Sequence, residues 1–483
     1  MERRNIGIAL SVGRVAVNAV CGLVLSSVLL RMLGDAQYGV YQTVAAFAHY
    51  LVLLEFGMGT VMVRNLSVDR AAEAEPGQLQ HQVDSLWTMT VCLSTVILAA
   101  GAAFGAWIPR VYENSMTAAQ CTQGQRIFWL LTGSVVLSFL AETAGGVLLA
   151  CAHYRFAAME GMTRTALRAM AILLAVQGWK NALVIAVADL VFSMLQLVVT
   201  AWYCRKATGL RVRIRRADRA ILRAAAPLAL AVFLQTAVNQ VNSNVDRVLI
   251  GVLVGPEAVA LYSVALFVYG AFAAVTTVPV SLYGPEIQQR IHSGGDLTAA
   301  LAEPCRLTAI LGGAVLAGFA AVGRPFIRLF YGTDHLQAWG LALVLLVPAY
   351  LQAVTASAIN GLDAKNKRLG RSIILAVTTV MNVVLTVLWL GPWGMTGAAV
   401  ATALSTLLGQ VVLGNLHYRR VLGISAGRLY RAAFRDGWLW LALGCGAGAA
   451  VSRWIDNDLA ALVCGGAVCL LCMMPALWKI WKK

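Results

Sequence analysis

Long apolar runs alternate with short polar, mostly basic segments from one end of the chain to the other. A helix that crosses a bilayer needs about 20 predominantly apolar residues. By that measure the pattern predicts about fourteen spans, near 6–31, 38–63, 83–108, 126–150, 157–178, 181–204, 223–251, 258–282, 304–330, 337–361, 369–391, 394–417, 434–453 and 459–481. Most runs are apolar all round, as expected of helices surrounded by lipid or by one another. The fifth is different: Glu160, Arg164 and Arg168 recur every four residues and mark one helical face. That face is expected at the cytoplasmic mouth or inside the bundle. The predicted class is an all-α polytopic membrane protein, with the first apolar run retained as the first membrane helix.

Composition sharpens this reading. Of the 483 residues, 59% are hydrophobic and only 12% charged, against about 25% charged in soluble domains. A water-soluble globular enzyme is thereby excluded. The net charge of +16 would suggest nucleic acid in a soluble protein, but here the basic residues cluster between the spans. Cytoplasmic loops retain Lys and Arg because these residues resist translocation. With both termini placed in the cytoplasm, most of the 38 Lys and Arg fall in inner segments. A multi-pass protein of the cytoplasmic membrane is expected, without a nucleic-acid partner. The ten cysteines lie mainly within apolar runs, and Cys469 and Cys472 form a lone C-x-x-C. They read as packing residues rather than as a metal site or a disulfide framework.

The longest basic segment follows the sixth span, and the sequences on its two sides are related. Val28-Leu29-Leu30 followed by Tyr41-Gln42-Thr43-Val44-Ala45-Ala46-Phe47 parallels Val248-Leu249-Ile250 followed by Tyr262-Ser263-Val264-Ala265-Leu266-Phe267. At an offset of about 214, Trp179 pairs with Trp393, Gln196 with Gln410, Arg205 with Arg419 and Lys206 with Arg420. Six spans per half give both halves the same orientation, so the repeat is parallel. The expected organisation is an N-terminal six-helix lobe at 1–204, a basic cytoplasmic linker at 205–222 and a C-terminal six-helix lobe at 223–418. Two additional transmembrane helices follow at 434–483. Substrate sites in transporters built this way lie between repeats.

No Gly-Lys dipeptide occurs, so the chain has no Walker A loop, and H-E-x-x-H and G-x-S-x-G are also absent. No catalytic residue, metal site or cofactor is assigned. The strongest positive signal lies in the seventh span, where Gln235, Asn239, Asn242 and Asp246 are spaced 4, 3 and 4 apart on one face. Facing lipid, such a stripe is costly, so it is expected to line the bundle interior or a wet cavity; the competing reading is hydrogen-bonding between helices. In the first span Arg14 and Asn18 are four apart. The second and fourth carry Glu55 and Glu142, as coupling carboxylates or as ion-pair partners of Arg14. An intramembrane Arg suits a phosphate or pyrophosphate. Tyr262 and Tyr269 in the eighth span supply aromatic faces for sugar stacking, although Tyr also anchors helices at interfaces.

Several short motifs resemble those of the polysaccharide transporter (oligosaccharide flippase) family, part of the multidrug/oligosaccharidyl-lipid/polysaccharide exporter superfamily. They are Arg31-Met32-Leu33-Gly34, Tyr38-Gly39-Val40-Tyr41, Phe56-Gly57-Met58-Gly59-Thr60 with Arg64, and Asp246-Arg247-Val248-Leu249-Ile250-Gly251. Ala358-Ile359-Asn360-Gly361 and Gly394-Met395-Thr396-Gly397 continue the pattern. The resemblance implies a two-lobed transporter with a twelve-helix core that flips polyprenyl-diphosphate-linked oligosaccharides to the outer leaflet by alternating access. It also implies a cationic cavity lining, to which Arg14 is the best-matched contributor. The implied partners are the lipid-linked oligosaccharide, membrane lipids, and glycosyltransferases or a polymerase of the same pathway. Two alternatives stay open: a cation-coupled multidrug exporter of the same superfamily, and a membrane glycan polymerase or glycosyltransferase.

Overall fold

The computed structural model describes residues 2–292, 297–365, 367, 369–435 and 437–481; the side chains of 2–12, 14, 292 and 477–481 lie outside that description. Among the described residues the secondary structure is entirely helical, with sixteen α-helices in sequence. The chain forms two compact units, Met1–Ala260 and Leu261–Lys483.

The first unit begins with α1, Glu2–Ala48, which bends sharply at Gly34 (φ 76°, ψ 168°). Only glycine takes that conformation without strain, so the bend separates two crossings where the sequence places a short turn. A 3₁₀ segment, His49–Glu55, continues the second crossing, and two left-handed residues, Phe56 and Gly57, interrupt it before α2, Met58–Ala71. The second span, expected as one continuous helix over 38–63, is therefore broken in its middle. Then come α3 (Pro76–Val111), α4 (Ala118–Ala150), α5 (Tyr154–Gly178), α6 (Leu183–Thr208) and α7 (Arg219–Leu253). The start of α4 is fixed by a capping box between Thr117 and Gln120. Packed on α1, α2, α3 and α6, α4 forms the hub of the unit and buries Phe128, Phe139 and Val147. Helix α7 packs on α1, the 3₁₀ segment, α2 and α3, so it belongs to the first unit although it begins the second repeat.

The basic segment between α6 and α7 is extended rather than helical. It is strapped along α3 by polar side chains four or so residues apart on one helical face. The Gln80 amide brackets Arg211, donating to its carbonyl at 2.6 Å and accepting from its N–H at 3.0 Å. The Thr88 hydroxyl accepts from the Arg215 N–H at 3.0 Å, and Ser85 accepts from the Asp218 N–H at 3.2 Å. These side chains satisfy backbone groups as a neighbouring strand would.

The second unit continues α8 (Pro256–His292) and adds α9 (Leu297–Tyr331), α10 (Gln337–Thr355), the short α11 (Ala358–Ala364) and α12 (Leu369–Ser405). A π-helical stretch, Thr406–Leu413, leads into α13 (Gly414–Leu422), followed by α14 (Ala426–Phe434), α15 (Trp438–Trp454) and α16 (Asp458–Trp481). Helix α9 is the hub here. The last two crossings, α15 and α16, dock on it through Met473, Cys469 and the Ser452 hydroxyl, which donates to the Ala321 carbonyl at 3.0 Å.

Ten described segments are long and apolar enough to cross a membrane. Two of them, Val15–Ala71 and Leu369–Leu422, are 57 and 54 residues long and hold two crossings each, divided at Gly34 and at Gly394 (φ 56°). The shorter α15 and the charged α5 complete the set of fourteen expected from the sequence. The repeat is visible in the turns as well. Gly34 lies at the matched position of Gly255, which also has positive φ (130°) and also starts a crossing. Trp179 caps α5, and its partner Trp393 precedes the Gly394 bend. The chain is a multi-pass, all-α membrane protein.

Candidate functional site

Four helices of the first unit surround a polar cavity of about 380 Å³. Tyr41, His49 and Glu55 enter from α1 and the 3₁₀ segment, Ser134, Ser138 and Glu142 from α4, Arg164 and Arg168 from α5, and Asp189 and Ser193 from α6. The charged face of α5 thus points into the bundle, one of the two places its spacing allowed.

The centre of the lining is a three-residue cluster. Arg168 Nε makes an ion pair with Asp189 Oδ1, and the Tyr41 hydroxyl donates to Asp189 Oδ2 at 3.0 Å. Both carboxylate oxygens are therefore occupied, as a charge removed from water requires. Arg164 leans along its own helix toward Glu160, with Nε 3.4 Å from Oε1. Ser193 bridges to α4, its oxygen 2.8 Å from that of Ser134 and 2.9 Å from that of Ser138. Glu55 and Glu142 face the same space, and among the described residues neither makes an ion pair. The arrangement suits a hydrated chamber able to exchange protons or cations and to hydrogen-bond a polar guest.

The residues singled out from the sequence are distributed as follows. Glu55 and Glu142 meet in this cavity. Arg14 lies on α1, and its side chain falls outside the described residues; Asn18, one turn on, is exposed. On α7, Gln235 and Asn239 are exposed and joined by a 3.3 Å hydrogen bond, and Asn242 is half-buried. Asp246 is buried near the end of the same helix. The seventh-span stripe thus runs from an open surface into the packed end of the helix. Tyr262 is fully buried. Tyr269, two turns on, lines a second cavity of about 200 Å³ in the second unit with Thr276, Thr277 and Gln352. Gln352 donates to Gln410, which stands on the π-helical stretch, a deviation often found at functional positions.

Sequence reasoning did not assemble the Arg168–Asp189–Tyr41 cluster. The usable signal was the combination of an Arg and an Asp in adjacent apolar spans, since each charge requires a partner. What hid it is that the partners are 21 and 148 residues apart.

The basic strap has its own electrostatics. The Asp218 carboxyl is held below the usual carboxylate range, first by the Ala220 N–H, which donates to Oδ1 at 2.7 Å, and then by His81, whose ring nitrogen is 3.2 Å from Oδ2.

Comparison with known proteins places this architecture. No curated protein sequence matches the chain. Among solved structures, the lipid II flippase MurJ in an inward closed conformation is similar over 98% of this chain and 99% of its own, with TM-score 0.78 and 12% identity. An inward-facing multidrug resistance MATE family transporter of the MOP superfamily is similar over 87% of this chain and 99% of its own, with TM-score 0.60 and 14% identity. A MOP superfamily transporter from Pyrococcus furiosus, whose binding pocket is described as of reverse polarity, matches over 88% of this chain and 95% of its own, with TM-score 0.55 and 14% identity. At such identities the likeness is one of fold. The model of the polysaccharide biosynthesis protein family matches residues 4–283; this is more than half of the sequence, and the chain belongs to that family.

Proposed function

We propose that the protein is a flippase that carries a polyprenyl-diphosphate-linked oligosaccharide from the cytoplasmic to the outer leaflet by alternating access, for cell-surface polysaccharide synthesis. The observation that carries this reading is the charged, hydroxyl-rich cavity enclosed by apolar spans. Intramembrane charges are costly and persist where they serve a pathway for polar cargo or ions. Family membership supplies the polysaccharide context. In this reading Arg14 attracts the diphosphate, and Asn18, Gln235, Asn239, Asn242 and Asp246 hydrogen-bond the glycan. Tyr262 and Tyr269 supply aromatic faces for sugar stacking, and both termini are cytoplasmic. Glycosyltransferases or a polymerase of the same pathway supply and consume the cargo, so the chain needs no catalytic residue of its own.

The test is a deletion strain assayed for surface glycan and for lipid-linked oligosaccharide held on the inner leaflet. Loss of display with inner-leaflet accumulation, restored by the wild-type gene and not by Arg14→Ala, is the expected result. Unchanged display in the deletion strain would remove the assignment, and full rescue by Arg14→Ala would remove the role of that residue.

A second reading, a cation-coupled multidrug exporter, is favoured by one observation: Glu55 and Glu142 share a cavity without an ion-pair partner among the described residues. It predicts that deletion raises the accumulation of cationic dyes and that Glu55→Gln reproduces this effect. The flippase leaves dye accumulation unchanged.

A further inference from the structure

A groove of about 660 Å³ on the first unit lies where the basic strap ends. Its walls come from the break in the second span (Phe56, Met58), from α3 (Met89, Leu93) and from the start of α7 (Leu222 to Leu230). They are apolar apart from one residue, Arg223. Pro227 lies inside α7 at the groove. It withholds the N–H that the Arg223 carbonyl would otherwise accept and loosens the helix there. The groove is an open surface feature: Leu230 is 54% exposed, and Ala226 is exposed as well.

The strap and the groove are continuous. Thr88, which holds the strap at Arg215, immediately precedes Met89 on α3, and Asp218 caps the helix whose next turn carries Leu222 and Arg223. Because the strap is pinned by Gln80, Ser85 and Thr88, its cationic groups are held beside the groove. Arg211, Arg215, Arg216, Arg219 and Arg223 are all exposed, and among the described residues Arg215 alone of these five makes an ion pair, with Asp84 at 3.7 Å. A fixed cationic rim leading into an apolar trough is complementary to an amphiphile with a phosphate head and a long hydrocarbon tail.

We propose that this groove and strap form a loading site for the polyprenyl diphosphate end of the substrate, with the tail lying along Met89, Leu93 and Leu230 and the diphosphate held by Arg223 and Arg219. The inference rests on the flippase reading and deepens it, since it assigns the tail a dock on the protein before the glycan enters the polar cavity. The rim is at the end of the bundle that its basic residues mark as cytoplasmic, where the cargo is made.

The experiment uses the full chain in nanodiscs with geranylgeranyl diphosphate as the probe, and a diazirine-bearing analogue of it for photolabelling. We expect labelling of α3 and α7 peptides that contain Met89, Leu93 and Leu230, displaced by geranylgeranyl diphosphate and not by phosphatidylglycerol. Arg223→Gln should weaken binding about fivefold and Ala226→Trp, which fills the groove from an exposed position, about tenfold. A normal melting temperature for both variants excludes misfolding, and Ala229→Leu provides a milder filling if the Trp is not tolerated. Equal displacement by phosphatidylglycerol would reduce the groove to a seat for ordinary lipid and overturn the proposal. Unchanged affinity in every variant would place the tail elsewhere, as would absent binding in a chain that still supports glycan display; both overturn the groove and leave the flippase reading intact. That reading falls on a different result, unaltered glycan display in the deletion strain.

Discussion

Replacing Arg168 with Leu tests whether the cavity is built around a compensated charge. The side chains of Arg168 and Asp189 are only 28% and 12% exposed, so removing the guanidinium leaves a largely buried carboxylate with Tyr41 as its remaining polar partner. Breaking a buried ion pair from one side costs about 3–5 kcal/mol, most of it the penalty of the stranded charge. The cavity holds space for water beside the pair, which argues for the lower end, about 3 kcal/mol, or roughly a hundredfold in the ratio of folded to unfolded protein. Asp189→Leu should cost less, because the more exposed guanidinium can turn toward the cavity. The charge-free double variant, Arg168→Leu with Asp189→Leu, should return to within about 1 kcal/mol of wild type, since exchanging a buried pair for apolar side chains is often near neutral. The assay is reversible unfolding in mixed detergent micelles followed by circular dichroism, with the coupling energy taken from the double-mutant cycle. A cost below about 1 kcal/mol for Arg168→Leu, or a double variant less stable than both singles, would refute the reasoning.

Further outcomes follow from the same geometry. Gly57→Ala should lower stability by about 1–3 kcal/mol, because its φ is +62° and a Cβ there would stand 2.1 Å from Val232 Cγ1 and 2.7 Å from Val232 Cβ; adding Val232→Ala should recover only part of the contact cost in a thermal melt and leave the backbone strain. Ser193→Ala removes both hydroxyl contacts between α6 and α4 and should cost about 1–2 kcal/mol in the same melt. Asp218 has a depressed carboxyl pKa when folded, so the ordering it lends the strap is complete above the unfolded value of about 3.9 and is lost as pH falls through the folded one. Hydrogen exchange across 209–222, corrected for intrinsic rates, should therefore show protection falling in acid below about pH 4. Asp218→Asn should flatten that dependence.

How much was legible in the sequence differs between elements. Span number and class were readable because hydrophobic length is a local property: each run of about 20 apolar residues declares itself without reference to the rest of the chain. The repeat was readable for a similar reason, and the positive-φ glycines Gly34 and Gly255 mark its matched turns. The charged face of α5 was visible from its four-residue spacing. The break at Phe56–Gly57 was not, because Phe56 has no intrinsic preference for a left-handed backbone; packing holds it there, its ring stacked on Phe233 of α7 at 4.8 Å. The segment at 205–222 read only as a basic linker, since nothing local shows that α3 offers Gln80, Ser85 and Thr88 as partners for its backbone.

What the sequence by itself determined is therefore the set of membrane helices and their repeat, which follow from the free energy of moving each segment out of water. Only the tertiary structure decided which charges share a chamber. Lipid penalises an unpaired charge without naming its partner, and Arg168, Asp189 and Tyr41 come together only when α1, α5 and α6 pack around α4. The pairing energy is local in space and remote along the chain, and the fold supplies the link.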